Sequence, residues 1–131
     1  MTDFRIRIRM IFVTAAVAFF IAATTVLAHH GTAAFDTSKE TTFKATVTEV
    51  QFSNPHVILL FDVKNEKGEI EAWQGELTAP TKLTRAGWSK STLKAGDTIT
   101  VGGFAVKNGS HTMWIRKLLG PDGQPLPLSE N

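Results

Sequence analysis

Val57, Leu59, Phe61 and Val63 occupy every second position of one run, with Asp62 between the last two. That period of two puts all four on one face of an extended strand. The same alternation recurs in short runs along residues 42–119, each closed by a turn signal. A chain patterned in this way builds its core from strands. With 43% apolar and 20% charged residues it has the composition of a folded domain. Its 131 residues suffice for one domain and not two.

The first expected strand, Thr42 to Phe52, carries Phe43, Ala45 and Val47 on one face. The apolar phase then shifts by one at Val50 and Phe52, as a β-bulge would make it do. Asn54-Pro55 punctuates the chain, and the second strand follows over His56 to Val63. Asn65-Glu66-Lys67-Gly68 is a hairpin loop, and Glu69 to Leu77 is the third strand. Thr78 is a candidate cap for a short helix near Ala79–Ala86, with Pro80 in its first turn, a stop at Gly87, and Leu83 and Trp88 as anchors. Lys94-Ala95-Gly96-Asp97 turns into a fourth strand, Thr98 to Val106, in which Gly102-Gly103 predicts a sharp bend or bulge. Asn108-Gly109 marks a hairpin leading to a fifth strand, Thr112 to Leu119. Five short strands with one helix between the third and fourth predict an all-β fold, a small antiparallel barrel of the OB type. An open antiparallel meander or sandwich is the alternative.

The amino terminus has a different character. Arg5, Arg7 and Arg9 precede an apolar run from Met10 to Ala23 broken only by Thr14, and Val26-Leu27-Ala28 ends it. A basic start, a short apolar stretch and small residues at the cleavage position predict a signal peptide over 1–28. The expected organisation is then a signal peptide (1–28), an extended lead-in (29–41), the barrel domain (42–124) and a loose tail (125–131). The expected location is periplasmic or secreted, with no stable membrane anchor after cleavage. The signal segment carries three of the 14 Lys and Arg and one of the 12 Asp and Glu, so the remainder is balanced in charge. A balanced chain gives no field for nucleic acid. The absence of Cys excludes disulfides, thiolate metal sites and thiol catalysis.

Several short motifs occur together: His29-His30-Gly31, Phe35-Asp36, Ala45-Thr46-Val47, Asn54-Pro55-His56, Trp73 with Glu76, Ala86-Gly87-Trp88 and Leu93-Lys94-Ala95-Gly96-Asp97. In this order they resemble an exported bacterial family known only as a domain of unknown function. The likeness spans essentially the whole chain after residue 28. Phe52 stands where that family usually has Trp, and Gly31 where Ser is common. The resemblance implies export and a single domain, and it carries no activity.

The four His are His29, His30, His56 and His111. Imidazole is the commonest metal ligand and suits copper, zinc and nickel. Cleavage after Ala28 would free the α-amine of His29. The amine with an imidazole, or with the amide and ring of His30, is a chelate that favours Cu(II). The two loops that carry His56 and His111 border the same face of an OB-type barrel, so closure is expected to bring both to one end. A lead-in of this length, extended, reaches ~40 Å. All four His are therefore candidate metal ligands, with copper the favoured ion. Against this, His56 and His111 can be ordinary strand-start and hairpin residues.

Met113 and Trp114 beside His111 would suit Cu(I), but Met and Trp in strands, like Trp73 and Trp88, are more simply core. Glu69, Glu71 and Glu76 read as a solvated strand face and a strand-end partner. No catalytic constellation is spaced along the chain, and Gly102-Gly103 lacks the surroundings of a phosphate loop. The reading is a small exported binding module, with a transition metal as its expected ligand. The alternative is a metal-free exported module for an unknown protein, peptide or glycan. A small copper enzyme is the least favoured, since so short a chain leaves little room for a substrate cleft.

Overall fold

The computed structural model describes residues 31–129. The proposed signal peptide, His29 and His30 lie outside the described residues. The elements are a short 3-10 turn (Thr32–Ala34), β1 (Phe35–Gln51), β2 (Ile58–Lys64), β3 (Ile70–Glu76), α1 (Pro80–Arg85), β4 (Thr98–Val106) and β5 (Thr112–Leu119). Hydrogen bonding runs β1-β2-β3-β5-β4, and β4 pairs back onto β1 to close the sheet. The fold is all-β, a closed five-strand barrel with one short helix.

Alternation produced this core. Val57, Leu59, Phe61 and Val63 are all buried, as are Ala45 and Val47 of β1 and Ile99 and Val101 of β4. Burying a side chain of this size stabilises by about 1.5–3 kcal/mol. Among the described residues none of the buried side chains is polar or charged, so packing alone holds the interior.

Two bulges give the strands the curvature a small barrel needs. The first lies between Val47 and Glu49, where the phase shift in the sequence predicts it. The second lies between Gly102 and Gly103. A Cβ at Gly103 would overlap the Trp114 carbonyl oxygen, with the carbonyl carbon at 2.9 Å and Ile115 Cα at 3.0 Å. Glycine is what lets β4 approach β5 that closely.

Four expectations need correction. The barrel is not wholly antiparallel: β3 and β5 run parallel, pairing Gln74 with Thr112 and Glu76 with Trp114. The connection through α1 and β4 is long enough to carry the chain back and lay β5 alongside β3 in the same direction. β1 begins at Phe35 rather than Thr42, so part of the expected lead-in is strand. Phe35 pairs with Val106 and Glu40 with Phe104, and the irregularity between them is taken up where Ser38 N–H donates to Asp36 Oδ1 at 3.1 Å. These polar residues show no alternation because no buried face selects one, and the register with β4 resumes only at Glu40. Thr78 does not cap α1; Ala79 holds the cap position without a side-chain bond.

The fourth correction concerns the tail, which is not loose as far as it is described. Pro125 bridges Leu119, Leu126 N–H donates to Leu118 O at 2.9 Å, and Trp88 Nε1 donates to Pro127 O at 2.7 Å. Leu83 is fully buried and, with Trp88, pins the helix to the core, as the sequence predicts. Gly87, at φ +96°, takes the left-handed turn that ends the helix. Among the described residues no helix is long and apolar enough to cross a membrane.

Candidate functional site

β3 organises both described imidazoles. Its residues alternate between the two faces of the sheet, so Glu71 and Glu76, an odd number apart, project to opposite faces. On an extended strand their Cα atoms are separated by roughly 16 Å. Each carboxylate meets a different His.

His56 sits just before β2, at the end of the β1–β2 connection. Its Nδ1 is paired with Glu76 Oε1, and the two side chains are 50% and 32% exposed. β2 runs antiparallel to β3, so Ile58 lies opposite Glu76 and the approach to β2 passes the end of β3. The pairing occupies one ring nitrogen. A His whose Nδ1–H donates to a carboxylate carries its lone pair on Nε2, the arrangement commonly found behind metal-bound imidazole.

His111 sits in the β4–β5 loop. Its backbone oxygen accepts from Gln74 N–H at 2.9 Å, which ties the loop to the middle of β3. The ring lies flat on Trp73, 4.8 Å between centroids with an interplanar angle of 9°. Phe43 backs the same indole at 4.7 Å. His111 Nε2 faces Glu71 Oε2 at 3.9 Å, beyond hydrogen-bond length.

Closure therefore does not bring His56 and His111 to one end. The parallel course of β5 explains it. The β4–β5 loop enters beside the middle of β3, where His111 meets Gln74, while the β1–β2 loop arrives at its last residue. The two loops approach the same sheet from opposite directions. A metal ion holds its nitrogen ligands at about 2.0–2.1 Å, so one ion does not take both rings as they stand. Among the described residues no three His, Cys, Asp or Glu side chains gather into a metal-binding group.

Glu71 is the perturbed carboxylate of this region. The side-chain amide of Asn65 donates to it at 3.0 Å, Trp73 Nε1 donates at 3.4 Å, and the nearby His111 adds to the effect. These bonds hold its carboxyl below the ordinary glutamate range, Asn65 contributing most. A depressed carboxyl pKa stabilises the fold above the unfolded value, ~4.3, and the contribution disappears as pH falls through the folded value. Asn65→Ala is expected to return the Glu71 titration toward ordinary glutamate, read by NMR of its side-chain carboxyl. An unchanged titration would mean that Asn65 is not the cause.

Beside His111 the outer sheet surface forms a shallow groove of about 410 Å³. Thr48, Leu60, Ala72, Trp73, Gln74 and Thr112 line it together with His111. Met113 is fully buried and Trp88 is in the core, as expected of both. Trp73 is half-buried against that core, and Trp114 is half-buried on the outside, flanked by Phe35 and Phe104. The partnership of Glu71 with His111 was not visible in the sequence. Its one signal was that Glu71 and Trp73 share a strand face; nothing local tells which loop descends on that face.

No curated protein and no solved structure matches the chain significantly. Residues 17–114 match a family described as one of unknown function, DUF6152. The match spans the strands from β1 to the start of β5, the helix and both described His, and the chain belongs to that family.

Proposed function

We propose that the protein is a small exported binding module that holds one transition-metal ion, copper in preference, through its His residues. The observation that supports this is the His56–Glu76 pair. The carboxylate fixes the imidazole through Nδ1 and leaves Nε2, on a half-exposed side chain, as an outward nitrogen donor. Among the described residues no fuller ligand set gathers, so the remaining donors are the α-amine and rings of His29 and His30, exposed by cleavage after Ala28. Nitrogen donors of this kind favour Cu(II). His111, stacked on Trp73 and distant along β3, is not a ligand of the same ion.

Metal content and amino-terminal mass, measured on protein recovered from the exported fraction of its own cells, test this reading. A chain beginning at His29 with close to one equivalent of copper is the expected result. A metal-free chain, or one that keeps residues 1–28, overturns it. The groove beside His111 favours the second reading, a metal-free interaction module, which gains if the first fails.

A further inference from the structure

The pairing of β3 with β5 ends at Glu76 and Trp114, and past that point the two strands are no longer bonded to each other. Leu77 and Thr78, the β5 segment Trp114–Leu118 and the tail segment Pro125–Ser129 enclose a cleft of about 370 Å³ there. This volume lies in the range of small-molecule sites.

The lining is sharply divided in chemistry. Leu77, Ile115 and Leu118 are core residues no more than 3% exposed, so the cleft opens onto the barrel interior. Leu126 and Leu128 of the tail pack against the same core. Among the described residues that line the cleft, the charged side chains are Arg116 and Lys117, both exposed, and none is a carboxylate. The Arg116 guanidinium lies 4.5 Å from the centroid of the Trp114 ring, which holds it at the cleft wall. Thr78 and Ser129 supply the remaining polar side chains, too few to read the hydroxyl pattern of a sugar or the edges of a base.

An aliphatic floor beside two exposed cations matches one ligand chemistry. We propose that this cleft binds a single-chain anionic amphiphile, its alkyl chain against Leu77, Leu118, Leu126 and Leu128 and its head at Arg116 and Lys117. The site is separate from the His residues and does not depend on metal binding. A carboxylate and a phosphate monoester share the head chemistry, and Arg pairs with either through two hydrogen bonds.

The test is titration of the processed protein with dodecanoate, dodecyl phosphate and dodecyltrimethylammonium below their micelle concentrations, followed by tryptophan fluorescence. Both anions are expected to bind one to one, and the cation at least tenfold more weakly. Whichever anion binds more tightly identifies the head group. Shortening the chain should weaken binding about fourfold per methylene. Arg116→Gln with Lys117→Gln should weaken the anions about tenfold while leaving the protein folded and cation binding no weaker, since both side chains are exposed. Equal binding of the cation, unchanged affinity in the double variant, or no binding of either anion would overturn the proposal.

Discussion

Gly103→Ala should lower the stability of the barrel by about 3 kcal/mol, the upper end of what overpacking costs. The added methyl would meet backbone, namely the Trp114 carbonyl and Ile115 Cα, and not the movable end of a side chain. Relief requires β4 and β5 to separate at the bulge, where Gly103 pairs with Ile115 and Phe104 with Trp114. For a domain of this size the loss corresponds to a fall in melting temperature of roughly 12–24 °C. Gly102→Ala is the control, because its nearest neighbour would be the Thr42 hydroxyl at 3.2 Å, which can turn aside. Thermal unfolding of the two variants checks this. A Gly103→Ala protein within about 1 kcal/mol of the parent would mean that the bulge yields more readily than backbone contact implies.

How far the sequence could be read follows from where its information lies. Alternation marks a buried face, so β4 and β5 were legible to the residue, and β2 and β3 to within two. Strong punctuation marks turns, so the Asn65–Gly68 and Asn108–Gly109 hairpins were legible as well. A phase shift and a glycine pair gave both bulges. The first part of β1 was not legible, because Asp36–Thr41 is polar and carries no apolar alternation; its register with β4 holds at Phe35 and resumes only at Glu40. The grip on Leu126 and Pro127 was hidden for a related reason: it depends on Leu118 O and on the indole of Trp88, the latter far away in the chain. The candidate site was half visible. The four His were found, but whether His56 and His111 meet depends on the direction of β5 relative to β3. Direction is a property of the chain path, and no local pattern in Thr112–Leu119 encodes it.

Glu76→Gln should weaken Cu(II) binding by roughly 10–100-fold, the usual cost of losing the group that orients a ligating His. The amide keeps the size of the side chain but loses the negative charge. It therefore supports the imidazole less well, both in orientation and in basicity. His56→Ala removes the donor itself and should cost at least as much. His111→Ala should leave copper affinity unchanged, since its ring belongs to the Trp73 stack and not to the His56–Glu76 pair. Copper must displace protons from its nitrogen donors, among them the α-amine, with a reference pKa of ~7.7–8.0. Affinity should therefore fall steeply from about pH 8 to pH 5.

The most direct measurement is a Cu(II) titration, in one buffer, of the chain beginning at His29 and of the same chain with its α-amine acetylated. The processed chain should bind near one equivalent, and acetylation, which leaves every imidazole in place, should weaken that binding at least tenfold, as expected for the loss of a ligating nitrogen. Equal affinity in the two proteins, or affinity no greater than that of a short His-containing peptide, would contradict the metal-binding account.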